Sequence, residues 1–492
     1  METPDLSALL QEVVALRAAV EAGAAPFEAR WQGWIADPDF APSAANFARY
    51  LALRQHDIRP LQRRMMRAGL SSLGRAESRV LPSLDAVAAV LGAATGGAYR
   101  APPPGAFFAG EARIAARADA LLGPISPQSP VRLLVTLPSE AAEDPGFIRR
   151  LAELGVEAVR LNCAHDGEAA WEAMLAHVDR AAVATGWRMK VLMDLAGPKI
   201  RTGALRERKH LKQVLPGDDL AITLPGRLDA APRHMAALEC TLPEALGAAR
   251  LGQRIFVDDG KLDCRVDRVE GWGVITRITS GPDGEGYRLK PEKGLNFPDT
   301  HFTVPALTPA DLAALPFVAR HADGIEFSFV QGPEDVAELQ AHLAELRPDD
   351  WRRIGLVLKV ETARAVRNLP DMLVRAAGQQ PTAVMIARGD LAVEIGFARL
   401  AEMQEELLWL CEAAQVPVIW ATQVLESYVK TGLPSRGEMT DAAMAARAEC
   451  VMLNKGPHIF EAIADLDRLM GRMAGHLSKK TPQLRVLHSW AG

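Results

Sequence analysis

Leu358-Lys-Val-Glu361, followed one unit later by Met385-Ile-Ala-Arg-Gly-Asp-Leu-Ala-Val-Glu394, decides how this chain is read. Each stretch is a short apolar, β-branched run that ends in charged residues. The first stops at Lys359 and Glu361, the second at Arg388 and Asp390. Repeated β/α units produce this pattern, because their reactive side chains collect at the carboxyl ends of parallel strands. Two carboxylates and a lysine converging there can hold a divalent cation and a phosphorylated anion together.

Working outward, apolar runs recur at 131–136, 156–161, 190–194, 324–330, 354–359, 383–387, 416–421 and 450–453. Stretches of helical period such as 146–155, 168–184, 333–346 and 400–415 separate them. Eight strands alternating with helices predict an α/β fold, a (β/α)8 TIM barrel. An open doubly wound sheet would need fewer strands and a glycine fingerprint that is absent. One connection is far too long for a simple crossover. After the third strand, 205–300 carries Gly/Pro turns and alternating runs such as Arg254-Ile-Phe-Val-Asp, which reads as a small β lid domain seated over the barrel mouth. The expected organisation is therefore a helical N-terminal extension at 1–128, a barrel at 129–204 and 301–475, the inserted lid at 205–300 and a C-terminal tail at 476–492.

The extension has its own texture. Leu6, Leu9, Leu10, Val13, Val14 and Leu16 predict an amphipathic helix over 5–22, with further helices at 43–68 and 83–95 before the breaker Ala101-Pro-Pro-Pro-Gly105. Arg59, Arg63, Arg64 and Arg67 read as a solvated helix face rather than an anion site. At 492 residues the chain exceeds what one core fills, and a formal charge of −5 argues against nucleic acid or an anionic membrane as partner. Its five cysteines, without C-x-x-C spacing, read as buried reduced thiols. The start, with Glu2 and Asp5, has no basic leader before an apolar run, and no run is long enough to span a membrane, so a cytoplasmic location is expected.

Glu361 and Asp390 suit Mg2+ or Mn2+, which takes one or two protein carboxylates plus waters and substrate oxygens; the alternative is a pair of capping or salt-bridging groups. Lys359 could face the site or simply pair with Glu361. Arg160 and Asn162 lie two apart on the second strand and so point the same way. If that way is inward, they can hold a phosphate opposite Lys359, with the planar fork of Arg201 as a second guanidinium. Thr422, closing the seventh strand, could meet a substrate carboxylate or act as a plain cap. No Walker loop, paired metal-spaced histidines or nucleophile elbow occurs.

These blocks resemble the signatures of the pyruvate kinase family. The resemblance rests on Val159-Arg-Leu-Asn162, Met193-Asp-Leu-Ala-Gly-Pro-Lys-Ile-Arg-Thr-Gly203, Val257-Asp-Asp-Gly260, Lys293-Gly-Leu-Asn-Phe-Pro298, Phe327-Ser-Phe-Val330, Leu358-Lys-Val-Glu361, Ile386 to Glu394, and Ala421-Thr-Gln-Val-Leu-Glu-Ser427. They stand in the family's order and cover roughly 130–472. The resemblance implies phosphoryl transfer from phosphoenolpyruvate to ADP, giving pyruvate and ATP. It further implies that Glu361 and Asp390 hold Mg2+ or Mn2+, that Lys359 stabilises the transferring phosphoryl group and the enolate, that Arg160 holds the phosphate, and that Thr422 sits in the proton relay. Asn162, Arg201, Lys293, Ser328, Gly389 and Asp259 (or its neighbour Asp258) are implied as substrate and nucleotide contacts.

The departures are informative. Many relatives place a glutamate, which accompanies a required K+ ion, where this chain has Lys199. Leu195 and Ala164 stand where K+-dependent relatives use Thr and Ser oxygens. A fixed ammonium can replace a monovalent cation electrostatically, so a K+-independent enzyme is expected. Leu453-Asn-Lys-Gly-Pro-His458 departs from the family's strand-eight loop, and Lys455 there is either a new phosphate contact or an exposed loop lysine. Thr136-Leu-Pro-Ser lacks the glycine usual before that proline. The resemblance ends before the family's C-terminal α/β domain with its sugar-phosphate effector site, so activation through that domain is not expected. The extension has no counterpart in the family and is expected to cover the barrel or to make subunit contacts in a homo-oligomer. Two alternatives stand beside the kinase: a metal-dependent 2-keto-acid aldolase or lyase on the same barrel, and a weakly active regulatory paralogue.

Overall fold

The structure, a computed structural model, describes residues 5–127, 129–207, 213–282 and 286–482. Its centre is a closed barrel of eight parallel strands. In chain order these are β1 (Arg132–Thr136), β2 (Ala158–Asn162), β3 (Lys190–Leu195), β4 (Gly324–Phe327), β5 (Gly355–Val360), β6 (Thr382–Ala387), β7 (Val418–Ala421) and β8 (Cys450–Leu453). Every apolar run singled out in the sequence supplies one strand. The runs are continuous rather than alternating because helices cover the outside while the interior is packed, so both faces of each strand are buried. Register aligns the charged ends: Asn162 pairs with Asp194 across β2 and β3, and Glu326 pairs with Asp194 across β3 and β4.

Between β3 and β4 the chain builds a seven-stranded sheet with its own core of Leu220, Ile222, Leu238, Ile255, Leu262 and Cys264. A short helix, Pro243–Ala248, interrupts the strands. The β-hairpin at Leu477–Ser478 and Thr481–Pro482 begins the tail, whose residues 483–492 lie outside the described residues.

The N-terminal region differs in detail from the sequence expectation. Helix α1 (Leu6–Trp31) continues well past 22 and passes through Pro26. Its length is explained at its end: Trp31 is fully buried, stacks on Phe47 and donates its indole N–H to Asp371 on a barrel helix at 2.7 Å. The expected 43–68 helix is two, α2 (Ala41–Leu53) and α3 (Arg59–Arg67), split where Asp57 accepts from the backbone and side chain of Arg59. α3 presents the basic patch, with Arg64 paired to Glu12 of α1. After α4 (Val80–Ala94), α5 (Pro104–Leu122) starts inside the proline run read as a breaker. Proline is tolerated there because the first turn of a helix needs no N–H donor.

The last turn of α5 closes the bottom of the barrel. Leu121 and Leu122 pack with Leu134, Ala158, Leu192, Val357, Ala383 and Met385 in the barrel interior. A Cβ placed on Gly355, the first residue of β5, would fall 1.9 Å from Leu121 Cδ1, so any side chain there would force Leu121 to move.

Candidate active site at the carboxyl end of the barrel

The opposite end of the barrel opens into a cavity of about 460 Å3. Arg160, Asn162, Lys199, Arg201, Ser328, Lys359, Glu361, Asp390 and Thr422 all line it. The period of two along a strand explains the grouping: Arg160 with Asn162, Glu326 with Ser328, and Lys359 with Glu361 each share an inward face. A larger cavity, about 680 Å3, lies between the N-terminal helices and the tail hairpin, but none of the site residues singled out in the sequence lines it.

Lys359 is the hub. Its ammonium donates to Asp194 Oδ1 at 2.9 Å and to Ser328 Oγ at 2.6 Å, and lies 3.5 Å from Glu361 Oε1. Burial disfavours its charge, but Asp194 and Glu361 outweigh burial and hold its pKa above the ordinary lysine range. Arg160 is clamped from three sides, by Asp194, by Glu326 through Nε at 2.9 Å, and by Thr136 Oγ1 at 3.1 Å. Against the cost of burial, Arg160 and Lys359 keep Asp194 below the usual carboxylate range. The result is two fixed cations facing one opening.

Glu361 and Asp390 stand at the ends of neighbouring strands. Burial raises the pKa of Glu361, and the nearby Asp390 charge raises it further. Two carboxylates that repel in this way attract a cation. Glu361 Oε2 accepts the backbone N–H of Phe329 at 2.6 Å, and Asp390 accepts Lys199 through both oxygens, at 2.9 and 3.1 Å. No group of three or more His, Cys, Asp or Glu side chains placed to hold a metal ion between them occurs among the described residues. This donor set fits a hard divalent ion that completes its shell with waters and substrate oxygens, and not a closed structural metal site.

Backbone strain concentrates here. Thr422 has φ 59° and Gln423 55°, while Phe329, whose N–H holds Glu361, has φ 54°. A β-branched or bulky residue rarely adopts that region, and such outliers gather at functional sites. At Thr422 the conformation aims Oγ1 at Gly389, whose N–H it accepts at 2.7 Å. The hydroxyl's own proton is left for another acceptor. Arg388 supports the turn by donating to the carbonyls of Ala421 and Thr422, with its guanidinium 4.6 Å from the Trp420 ring.

Three of the residues singled out in the sequence, Lys293, Asp259 and Gly389, stand apart from the cavity wall. Lys293 lies 3.4 Å from Asp258 Oδ1 within the inserted sheet domain, and Asp259 is exposed beside Gly294. Asp258 is instead buried, accepting from Tyr287 at 2.6 Å and Lys261 at 2.8 Å. Gly389 reaches the site through its N–H alone. Lys455 lines the cavity, joined by residues the sequence reading did not single out: His165, Lys430 and Asn454. Beneath the cavity sits another, Glu326, which is wholly buried. Its signal was an acidic residue within the apolar run Gly324-Ile-Glu-Phe327.

Residues 127–457 match the family model described as pyruvate kinase, barrel domain. Among curated relatives, a pyruvate kinase of Corynebacterium efficiens is 32% identical over 336 residues, 66% of each chain. One from Mycobacterium intracellulare is 31% identical over 353 residues, 70% of this chain and 71% of the relative. Pyruvate kinase 1 of Trypanosoma brucei brucei is 29% identical over 356 residues, covering 70% and 67%. The chain thus spans about two thirds of the length of the curated relatives it matches.

Proposed function

The chain belongs to the pyruvate kinase family, and from that premise we propose that it transfers the phosphoryl group of phosphoenolpyruvate to ADP, releasing pyruvate and ATP. The observation that carries this reading is the convergence of the Lys359 and Arg160 cations with the Glu361 and Asp390 carboxylates around one opening. Phosphoryl transfer asks mainly for positioning and charge neutralisation, and this constellation supplies both.

Glu361 and Asp390 would hold Mg2+ or Mn2+. A divalent ion there would neutralise charge on carboxylate and phosphoryl oxygens. Lys359, locked by Asp194 and Ser328, would stabilise negative charge on the transferring group and on the enolate that remains. Arg160 would hold the phosphate, its orientation fixed by three protein acceptors. Thr422 would carry the proton that completes pyruvate, since its Oγ1 already accepts from Gly389 and its hydroxyl hydrogen is free to be donated. Asn162 and Arg201 on the cavity wall, with Lys293 and Asp259 from the lid, would meet the nucleotide phosphates, and lid closure would exclude water.

The enzyme is proposed to work without K+. Lys199 supports this by placing a fixed ammonium in the cavity, while Leu195 and Ala164 offer no side-chain oxygen to a monovalent ion. A cytoplasmic location is proposed on the five free cysteines, four of them buried. No described helix is long and apolar enough to cross a membrane.

The test is pyruvate release from phosphoenolpyruvate, ADP and Mg2+, in K+-free buffer and again with KCl. Activity unchanged by KCl supports both parts of the proposal. Activity only with KCl retains the kinase and removes the role given to Lys199. No pyruvate in either buffer rules out the kinase and moves the assignment to the keto-acid lyase or regulatory readings.

A further inference from the structure

Glu326 lies on β4 inside the barrel, directly below the proposed phosphate site, and it is 0% exposed. Its Oε2 accepts from Arg160 Nε at 2.9 Å, while Oε1 is inaccessible and has no hydrogen-bond partner among the described residues. A buried carboxylate normally fills its acceptor sites, so a half-satisfied one is an unusual thing to keep under a cationic anchor. The same guanidinium already has Asp194 as a counter-charge. With both acids ionised, the charges of Arg160 and Lys359 are cancelled by Asp194 and Glu326 before any phosphate arrives.

The charged and titratable groups facing Glu326 come from several strands. Arg160 on β2 and Lys359 on β5 favour its ionised form, and Asp194 on β3 disfavours it. Two thiols also feel its charge, Cys163 after β2 and Cys450 on β8. Burial is the largest influence and, with Asp194, pushes the Glu326 carboxyl up to about 7 despite the two cations. The proton therefore sits near balance before a ligand enters. A phosphorylated carboxylate placed against Arg160 adds like charge above Glu326 and displaces that balance toward the neutral acid.

We propose that Glu326 is the positioning residue of the phosphate site: it holds the Arg160 guanidinium from beneath, and it takes up one proton from solvent when phosphoenolpyruvate binds above it. Uptake removes the second counter-charge, so that Arg160 and Lys359 share Asp194 alone and the four groups pass from neutral to one net positive charge facing the phosphate. The hydrogen bond to Nε survives protonation, because Oε2 remains an acceptor when the proton rests on the unpartnered Oε1. The inference rests on the phosphoenolpyruvate reading given above. It adds a coupling between substrate binding and pH at a residue that need not touch substrate.

Linkage fixes the sign. A ligand that raises a carboxyl's pKa binds with proton uptake, and its affinity falls by up to about tenfold per pH unit above the ionisation of the free site. The test is calorimetric titration of the full chain with phosphoenolpyruvate and Mg2+, at several pH values between about 6 and 8, in buffers of different ionisation enthalpy. The wild-type chain should take up close to one proton per ligand near the top of that range. Glu326→Gln, which keeps the acceptor for Arg160 but cannot titrate, should abolish the uptake and flatten the pH dependence of KM. Binding by the wild type without proton uptake overturns the inference, as does undiminished uptake by Glu326→Gln. Should the variant not fold, the wild-type measurement still decides. Failure of the functional reading looks different: phosphoenolpyruvate does not bind at any pH and no pyruvate forms.

Discussion

The ammonium of Lys199 reaches both carboxylate oxygens of Asp390, at 2.9 and 3.1 Å, across the mouth of the barrel. Lys199 follows β3 in sequence, whereas Asp390 follows β6, so the ion pair ties distant strands together at the proposed metal site. It also fixes a positive charge beside the proposed metal site, the role proposed for it in place of K+. Lys199→Gln should lower activity in K+-free buffer by about tenfold or more, the scale of one lost interaction of roughly 1.4 kcal/mol, with partial recovery on adding KCl. If Lys199 instead only masks Asp390, the variant will be more active at limiting Mg2+ and indifferent to KCl. Initial rates over a matrix of the two salts separate these cases.

Lys359→Met should lower kcat by about 1000-fold or more while changing KM for phosphoenolpyruvate far less, if the ammonium acts, as proposed, on charge that develops in transfer. Removing it also leaves Asp194 and Glu361 without their shared partner. Breaking a buried ion pair from one side costs about 3–5 kcal/mol, so the variant should unfold at lower denaturant. Kinetics and chemical denaturation must be measured on the same preparation. A near-normal kcat in the folded variant would remove Lys359 from the chemistry.

The strands and most of the site were legible for one reason. Buried parallel strands give unbroken apolar runs, and the polar residue that ends such a run is where the barrel opens. Lys359, Glu361, Asp390 and Arg160 were therefore visible as interruptions. Glu326 was an interruption too, but it lies within its run rather than at the end, and it was absorbed as strand interior. Lys430 comes from the short helix Glu426–Thr431 after β7, where no spacing rule points to the cavity. The proline run before α5 reads as a stop because a proline cluster carries the same local signal at a break and in a first helical turn. Only the packing of Leu121 under the barrel distinguishes the two.

That packing yields a stability prediction. Leu121 is 2% exposed and is wedged against β4 and β5 where Gly324 and Gly355 leave room for it. Leu121→Ala should cost about 2–5 kcal/mol, since the rigid strand ends cannot collapse into the vacated space. Thermal and denaturant unfolding would read this directly. A loss below about 1 kcal/mol would mean that α5 lies against the barrel without closing it.

The last prediction concerns pH and the whole fold. Burial is the foremost cause that lifts four carboxyls to about 7: Glu157 at the barrel base, Glu326 in its interior, Glu394 beneath the lid and Glu412 behind the N-terminal helices. All four start from an ordinary value of 4.5 when unfolded. Between the two values the native state binds more protons than the unfolded one, so stability must fall as pH rises through that window. The favourable contribution is complete below the unfolded pKa and is gone above the folded one. Opposing effects exist, notably Asp194, whose lowered pKa makes its contribution grow with pH, but that change is finished below the window in question. The melting temperature should therefore decline from about pH 5.5 to about pH 8, with each acid contributing on the order of 1–3 kcal/mol. Replacing Glu157 by Gln should remove part of the slope, because an amide does not titrate, while its oxygen can still accept from Ser126 or Leu133, whose N–H groups bond the carboxylate at 2.8 and 2.7 Å. A melting temperature that rises across the window would mean that these acids stay ionised in the native state, and the proton balance assigned to Glu326 would fall with them.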